Sequence, residues 1–240
     1  MSTDSRSIAL VTGGSRGIGR AVVEALLDEG WVVHFCSLGE DSVASSLSAL
    51  EAGHAGRVFG HTVDIRSQTA VDSLVDEVIR RSGHIDCLVN NAGLGRFGPV
   101  DSISGDDWRC VIQTNLDGAF YALRACSRSM IERGSGWIIN IASLAAKNPF
   151  AGGAAYNASK FGLLGLSEAA MLDLRHHGIR VTAILPGSVD TDFRPPSRRP
   201  QTDWMLTAGD VARTVIDLLR YPPRALPSRI ELRPSQPPRH

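Results

Sequence analysis

The sequence predicts an α/β protein built on a buried parallel sheet, and three observations carry that expectation. Short apolar runs such as Ile8-Ala9-Leu10-Val11-Thr12 and Ile85-Asp86-Cys87-Leu88-Val89 stop at glycine or polar turns, as strands covered on both faces do. Between such runs lie longer stretches whose apolar residues recur at three- and four-residue spacing, the period of helices laid on a sheet. The first run also leads into Gly13-Gly14-Ser15-Arg16-Gly17-Ile18-Gly19 and then a helical pattern. Strand, glycine loop, helix is a phosphate-binding arrangement.

Composition narrows the function classes. A chain of 240 residues with 43% apolar residues can bury a substantial core, and the reading is one domain over residues 1–240 without repeats or linkers. The 25 basic side chains balance the 25 acidic ones, which argues against a nucleic-acid backbone binder and against a polybasic membrane anchor. Cys36, Cys87, Cys110 and Cys126 lack metal-ligand spacing, and each falls in an apolar segment where a free thiol packs as a small hydrophobe. Residues 1–7 are polar rather than signal-like, and no apolar run reaches membrane-spanning length, so a cytoplasmic location is expected.

In chain order, residues 8–12 form the first strand. Gly13 permits the tight turn, Gly17 lets backbone approach a pyrophosphate, and Gly19 allows close packing of the helix marked by Ile18, Val22, Ala25 and Leu26. Residues 31–36 form the second strand, in which His34 is expected to be packed or hydrogen-bonded rather than catalytic. A helix over 41–52 and a strand over 58–63 follow, ending at Asp64-Ile65. Asp64 and Ser67 both offer a cap to the next helix, whose apolar face is Val71, Leu74, Val75 and Val78. The strand at 85–89 closes with Asn90-Asn91-Ala92-Gly93, by itself a polar turn. Arg96 and Phe97 sit at the tip of the loop at 94–100, where they can border a pocket, although solvent exposure is the default for Arg96.

One long helix is predicted from Asp106 through Leu123, with Asn115 as a polar residue inside its apolar pattern. A buried Asn there needs partners. Residues 137–142 form the fifth strand, and Ser143 stands at its carboxyl edge, where open α/β sheets bind ligands. Pro149, Gly152 and Gly153 predict a loop after Ser143 rather than an immediate helix. Residues 179–185 form the sixth strand, leading to Pro186-Gly187-Ser188-Val189-Asp190-Thr191. The segment 192–203 is rich in Pro and Arg; Arg194, Arg198 and Arg199 are either solvated charge or a receptor for an acidic substrate. A helix over 207–219, an alternating strand over 229–233 and a Pro-rich tail expected to be disordered complete the chain. Phe150, Phe193 and Trp204 are candidate apolar walls of a pocket.

Tyr156-Asn157-Ala158-Ser159-Lys160 opens an apolar helix, so Tyr156 and Lys160 stand four residues apart on one face. A phenol with its ordinary pKa near ~10 is a poor base at neutral pH, but a cation about 4 Å away is worth roughly 4 kcal/mol at an effective dielectric near ~20. That interaction brings the phenol into the working range of a general acid/base. The five residues alone are equally open to a half-buried Tyr and a solvated Lys on an ordinary helix.

Thr12-Gly13-x-x-x-Gly17-x-Gly19, Asn90-Asn91-Ala92-Gly93, Asn115, Ser143, Tyr156-x-x-x-Lys160 and Pro186-Gly187-x-Val189-x-Thr191 occur in this order, and over residues 8–220 the chain resembles the short-chain dehydrogenase/reductase family. The resemblance implies a Rossmann fold with a seven-stranded parallel sheet in the order 3-2-1-4-5-6-7 and hydride transfer between a nicotinamide and a carbonyl or secondary alcohol. It assigns Tyr156 as general acid/base, Lys160 to the tyrosine and the nicotinamide ribose, Ser143 to the substrate carbonyl, and Asn115 to a bend in its helix and a water relay to Lys160. It implies cofactor contacts from Gly13, Ser15, Arg16, Gly17, Ile18 and Gly19, from Ser37, Asp64 and Ile65, from Asn91, Ala92 and Gly93, from Tyr156 and Lys160, and from Pro186, Gly187, Val189 and Thr191. Asp64 would meet the adenine, while Val189 and Thr191 would anchor the carboxamide.

Within that resemblance, the second strand ends in Ser37-Leu38-Gly39 without the acid that would bond ribose hydroxyls and repel a 2′-phosphate. Arg16 and Ser37 favour NADP(H); Leu38, where NADP-dependent relatives carry a second basic residue, leaves NAD(H) open. The ending lacks the glycine-rich strand of many ketoreductase relatives and looks more like the branch that oxidises small hydroxy acids. Excess apolar surface on the helices containing Phe120 and Phe161 implies a homodimer or homotetramer. The contrasting class is a nucleotide-sensing protein on the same fold that does no chemistry.

Overall fold

The computed structural model describes residues 6–191, 193 and 203–238. Seven strands form one parallel sheet in the order β3-β2-β1-β4-β5-β6-β7: β1 Ile8–Thr12, β2 Val32–Ser37, β3 Val58–Thr62, β4 Cys87–Asn90, β5 Gly136–Ile141, β6 Ile179–Pro186 and β7 Arg229–Leu232. This is the Rossmann architecture the sequence predicts, with helices on both faces.

Alternation along β1 builds the two layers. Ala9 and Val11 pack with α1 (Gly17–Asp28), α2 (Glu40–His54) and α7 (Ala208–Leu219) through Val22, Leu26, Val43 and Val215. Ile8 and Leu10 face the opposite layer of α3 (Gln68–Ser82), α5 (Gly118–Arg133) and α6 (Ala154–Leu174) through Val71, Leu74, Met130 and Leu174. Every residue of β1, β4 and β5 is buried, which is why these segments read as continuous apolar runs.

Several expectations change. The long helix predicted from Asp106, in which the resemblance implies a bend at Asn115, is divided into α4 (Gly105–Ile112), a π-helical turn over Gln113–Asp117, and α5. Asn115 is the cause in view: its Oδ1 accepts from Leu94 N (2.8 Å) and its Nδ2 donates to Leu94 O (2.9 Å), anchoring the turn to the loop after β4. π-turns of this kind cluster at functional sites. Asp64 does not cap α3; Ser67 does, accepting from Ala70 N, while the Asp64 carboxylate is engaged by Arg66 at 2.7 and 2.9 Å. A short 3₁₀ turn, Leu144–Ala146, follows Ser143 at once, and the Ser143 Oγ caps it by accepting from Ala145 N.

The apolar excess on the paired helices is narrower than the sequence suggests. Leu123, Cys126, Met130, Leu163, Leu164 and Leu174 are buried within the chain's own core. Phe120, Phe161 and Leu172 are exposed, at 41, 45 and 53%. His34 is fully buried and hydrogen-bonded to His61 and Ser82. Cys110 departs from the buried packing of the other three cysteines and is partly exposed. Arg194, Arg198 and Arg199 lie outside the described residues. Among the described residues no helix is long and apolar enough to cross a membrane, and no cluster of side chains suits a metal.

Candidate active site

A cavity of about 950 Å³ opens at the carboxyl ends of β1, β2, β4, β5 and β6. It sits at the β1/β4 boundary where the strand order reverses, the place at which open α/β sheets bind ligands. Of the catalytic and cofactor residues expected, all but two line its wall: Gly13, Ser15, Arg16, Gly17, Ile18, Ser37, Asp64, Ile65, Asn91, Ala92, Gly93, Ser143, Tyr156, Lys160, Pro186, Gly187, Val189 and Thr191. Gly19 and Asn115 stand behind it.

The glycine loop is shaped by close approaches. Gly13 has φ +67°, and a Cβ there would lie 2.7 Å from the Ala92 Cα. A Cβ on Gly19 would overlap the Gly13 carbonyl and the Asn91 amide, so bare backbone is what lets α1 close onto the loop. Thr12 locks the two loops together: its Oγ1 accepts from both Asn91 N and Ala92 N at 3.1 Å, and Asn91 Nδ2 donates to Thr12 O and Gly13 O. The N-terminus of α1 carries no side-chain cap and no acid in its first turn, whereas α3, α4 and α7 are capped by Ser67, Ser104 and Thr207. Its first amides therefore present an uncompensated positive dipole end beside the cavity.

At the end of β2 three hydroxyls gather. Ser15 Oγ donates to Ser37 Oγ at 2.8 Å and lies 3.4 Å from Ser42 Oγ. Arg16 is exposed, lines the same cavity and has no carboxylate partner among the described residues. The described lining contains Arg16, Arg66, Arg96 and Lys160 against a single acid, Asp64, whose pKa is lowered by its hydrogen bonds from Arg66.

Tyr156 and Lys160 lie one turn apart on α6 and both face the cavity. Lys160 is only 5% exposed, and its Nζ donates to the Ile141 carbonyl at 2.9 Å. Burial pushes its ammonium down to about 8. The Nζ lies 5.8 Å from the centroid of the Tyr156 ring, a separation worth roughly 3 kcal/mol for a unit charge at an effective dielectric near ~20. Ser143 opens on the same space, its hydroxyl hydrogen still free to donate after the Oγ has accepted from Ala145 N.

One part of this arrangement escapes sequence reasoning. Asn115 Nδ2 donates to Ser159 Oγ (3.0 Å), which donates to Tyr156 O (2.8 Å), so a fully direct chain of bonds runs from the β4 loop through the π turn to the tyrosine's own backbone. Ser159 sits inside the Tyr-to-Lys interval, and its polarity in a buried helical position is the only sequence signal. Asn90 Nδ2 donates to Asn140 Oδ1 (2.9 Å), tying β4 to β5 beneath the cavity, the strand-joining role that the family resemblance implies for Asn90. Trp204, expected on the wall, is absent from it; Phe97, Phe150, Phe193 and Met205 are present.

A Rossmann sheet with its cavity at the switch point and a Tyr/Lys pair one helical turn apart defines an α/β oxidoreductase architecture. The chain matches the short chain dehydrogenase family over residues 7–202 and belongs to that family. It is 38% identical over 206 residues to the putative ketoacyl reductase of Streptomyces coelicolor, spanning 85% of this chain and 78% of that one. Among solved structures, a metagenomic short-chain oxidoreductase in complex with NADP superposes with a TM-score of 0.84 at 33% identity, covering 96% and 98% of the two chains. A variant of actinorhodin polyketide ketoreductase with NADPH superposes with a TM-score of 0.88 at 32% identity, covering 98% of each.

Proposed function

We propose that this protein is an NADP(H)-preferring oxidoreductase that interconverts a carbonyl and a secondary alcohol, with Tyr156 as general acid/base. The observation that carries the proposal is the Tyr156/Lys160 pair: a phenol and a buried, carbonyl-anchored ammonium on one helix face, opening with Ser143 on a single cavity.

The residues present fit a dinucleotide. The uncapped first turn of α1 suits a pyrophosphate, with Gly13 and Gly17 keeping side chains out of its path. Ile18 and Gly19 contribute the same helix end; Asp64 and Ile65 would border the adenine, and Asn91, Ala92 and Gly93 the adenosine ribose. Pro186, Gly187, Val189 and Thr191 would hold the carboxamide end. Arg16 with Ser15, Ser37 and Ser42 supports a 2′-phosphate, because the cavity carries no acid at the end of β2. The bound nicotinamide would supply a hydride to the carbonyl carbon.

In the reduction direction, Ser143 donates a hydrogen bond to the carbonyl oxygen and fixes its position. Tyr156 gives its phenolic proton to that oxygen as negative charge develops there, and the Lys160 ammonium favours the resulting tyrosinate. Asn115, through Ser159, holds the backbone of Tyr156 in register with the loop after β4.

Incubation with NADPH and a panel of ketones, aldehydes and keto acids, followed by loss of reduced-nicotinamide absorbance, tests the reaction class. Tyr156→Phe should reduce turnover at least ~10²-fold, the scale of general acid–base catalysis, with cofactor affinity nearly intact. Ordinary activity in that variant would remove Tyr156 from the mechanism. Cofactor binding with no turnover of any carbonyl would instead favour the nucleotide-sensing class.

A further inference from the structure

A carbonyl placed against Tyr156 must put its substituents in the space beside that ring, and the structure walls this space with phenylalanine. Phe97, Phe150 and Phe193 lie with centroids 5.7, 6.3 and 5.7 Å from Tyr156, and Phe97 lies 5.9 Å from Phe150. All three line the cavity, and they remain 43, 47 and 41% exposed. Large apolar area left uncovered inside a concave site is the signature of a missing apolar ligand surface.

The walls are set before a ligand arrives. Gly98 N donates to Gly152 O at 2.8 Å, joining the loop that carries Phe97 to the one that carries Phe150. Asn157, in the first turn of α6, donates from Nδ2 to the Phe150 carbonyl at 3.0 Å. A Cβ on Gly95 would overlap the Phe97 ring, and one on Gly153 the Phe150 ring, so each ring lies back over bare backbone. A ligand therefore meets pre-positioned ring surfaces and bears little of the ordering cost.

We infer that the substrate is a ketone with an aryl group on the carbonyl carbon, seated among Phe97, Phe150 and Phe193. This rests on the oxidoreductase reading above. In the step, the carbonyl carbon gains a hydride, the C=O π pair moves to oxygen, and oxygen takes the Tyr156 proton; the reduced nicotinamide is the two-electron donor and leaves oxidised.

The test has a kinetic and a binding arm, both on the full chain saturated with cofactor. With NADPH, acetophenone should show a kcat/KM at least about tenfold above pyruvate, and Phe97→Ala should lower the acetophenone-to-butanone ratio about tenfold. With NADP⁺, calorimetry should show benzamide, whose carbonyl is not reducible by a nicotinamide, binding several-fold tighter than the equally bulky cyclohexanecarboxamide and about tenfold tighter than acetamide. Phe97→Ala, checked for an unchanged melting temperature, should erase that order; Phe150→Ala supplies an independent second variant. Pyruvate preferred over acetophenone, or benzamide no tighter than cyclohexanecarboxamide, would overturn the inference. Should no carbonyl be reduced, the reaction reading fails, while the benzamide isotherms still decide the aryl pocket.

Discussion

The Nζ of Lys160 donates to the carbonyl oxygen of Ile141, the last residue of β5, across 2.9 Å, and the lysine is almost fully buried. This bond fixes the ammonium beside Tyr156, but burial also lowers its pKa to about 8. The charge that favours the tyrosinate is present below that value and is lost as pH rises through it. Carbonyl reduction should therefore decline on an alkaline limb centred near 8. Lys160→Met should cost at least ~10²-fold in kcat and erase the limb; a rate flat through pH 9.5 in the unmodified protein would show that the ammonium stays charged.

Arg16, next to Ser15 in the chain, is exposed and lines the same cavity as the Ser15, Ser37 and Ser42 hydroxyls. Arg16→Ala should weaken NADPH binding by about 1 to 3 kcal/mol, the scale of a charge-assisted hydrogen bond, and scarcely change NADH. Fluorescence titration with both cofactors decides it. Equal losses would assign Arg16 to the glycine loop instead of the 2′-phosphate.

His34 is buried in β2, bonded to His61 Nε2 at 3.0 Å and to Ser82 Oγ at 2.8 Å. Burial first, then the charges of His61 and Arg81, depress its pKa to about 3, with Glu77 opposing them. The unfolded chain takes up a proton near the ordinary histidine value while the folded chain refuses it. Stability from this site is thus complete above about pH 6.5 and is lost as pH falls toward about 3. Between pH 7 and 4.5, urea unfolding should lose on the order of 2 to 3 kcal/mol from His34, a loss that His34→Leu removes. Identical pH slopes in the two proteins would refute the assignment.

Phe161, Ala169 and Leu172 fall on the outward face of α6, and Phe120 is exposed on α5. Such apolar helix faces suit a two-fold interface between copies of the chain, with an obligate dimer burying roughly 2,000 Å² or more. Light scattering at micromolar concentration should give at least twice the chain mass, and Phe161→Asp with Leu172→Asp should halve it. A stable, active monomer of the unmodified chain would end the proposal.

Much of the sheet is legible from the chain because its signals are local. Buried strands read as apolar runs, the glycine spacing marks the β1 turn, and one helical turn places Tyr156 and Lys160 on a common face. The same locality explains the misreadings. Asp64 and Ser67 are both good caps by residue type, and only their positions show that Ser67 meets Ala70 N while Asp64 turns to Arg66. The pattern around Asn115 is helical on either side, so periodicity alone does not announce a π turn, and the bend there is implied only by the family resemblance.

The sequence by itself determined the order of strands and helices, the phosphate-binding turn and the helical Tyr156/Lys160 pair, since each depends on residues a few positions apart. Tertiary structure decided what those groups meet. Asn115 reaches Leu94 and Ser159, Thr12 holds Asn91 and Ala92, and Phe97, Phe150 and Phe193 converge on Tyr156 from three separate segments. The physical reason is the parallel sheet: it gathers the carboxyl ends of strands far apart in sequence at one edge, so contacts there follow from strand order and packing, which no local periodicity encodes.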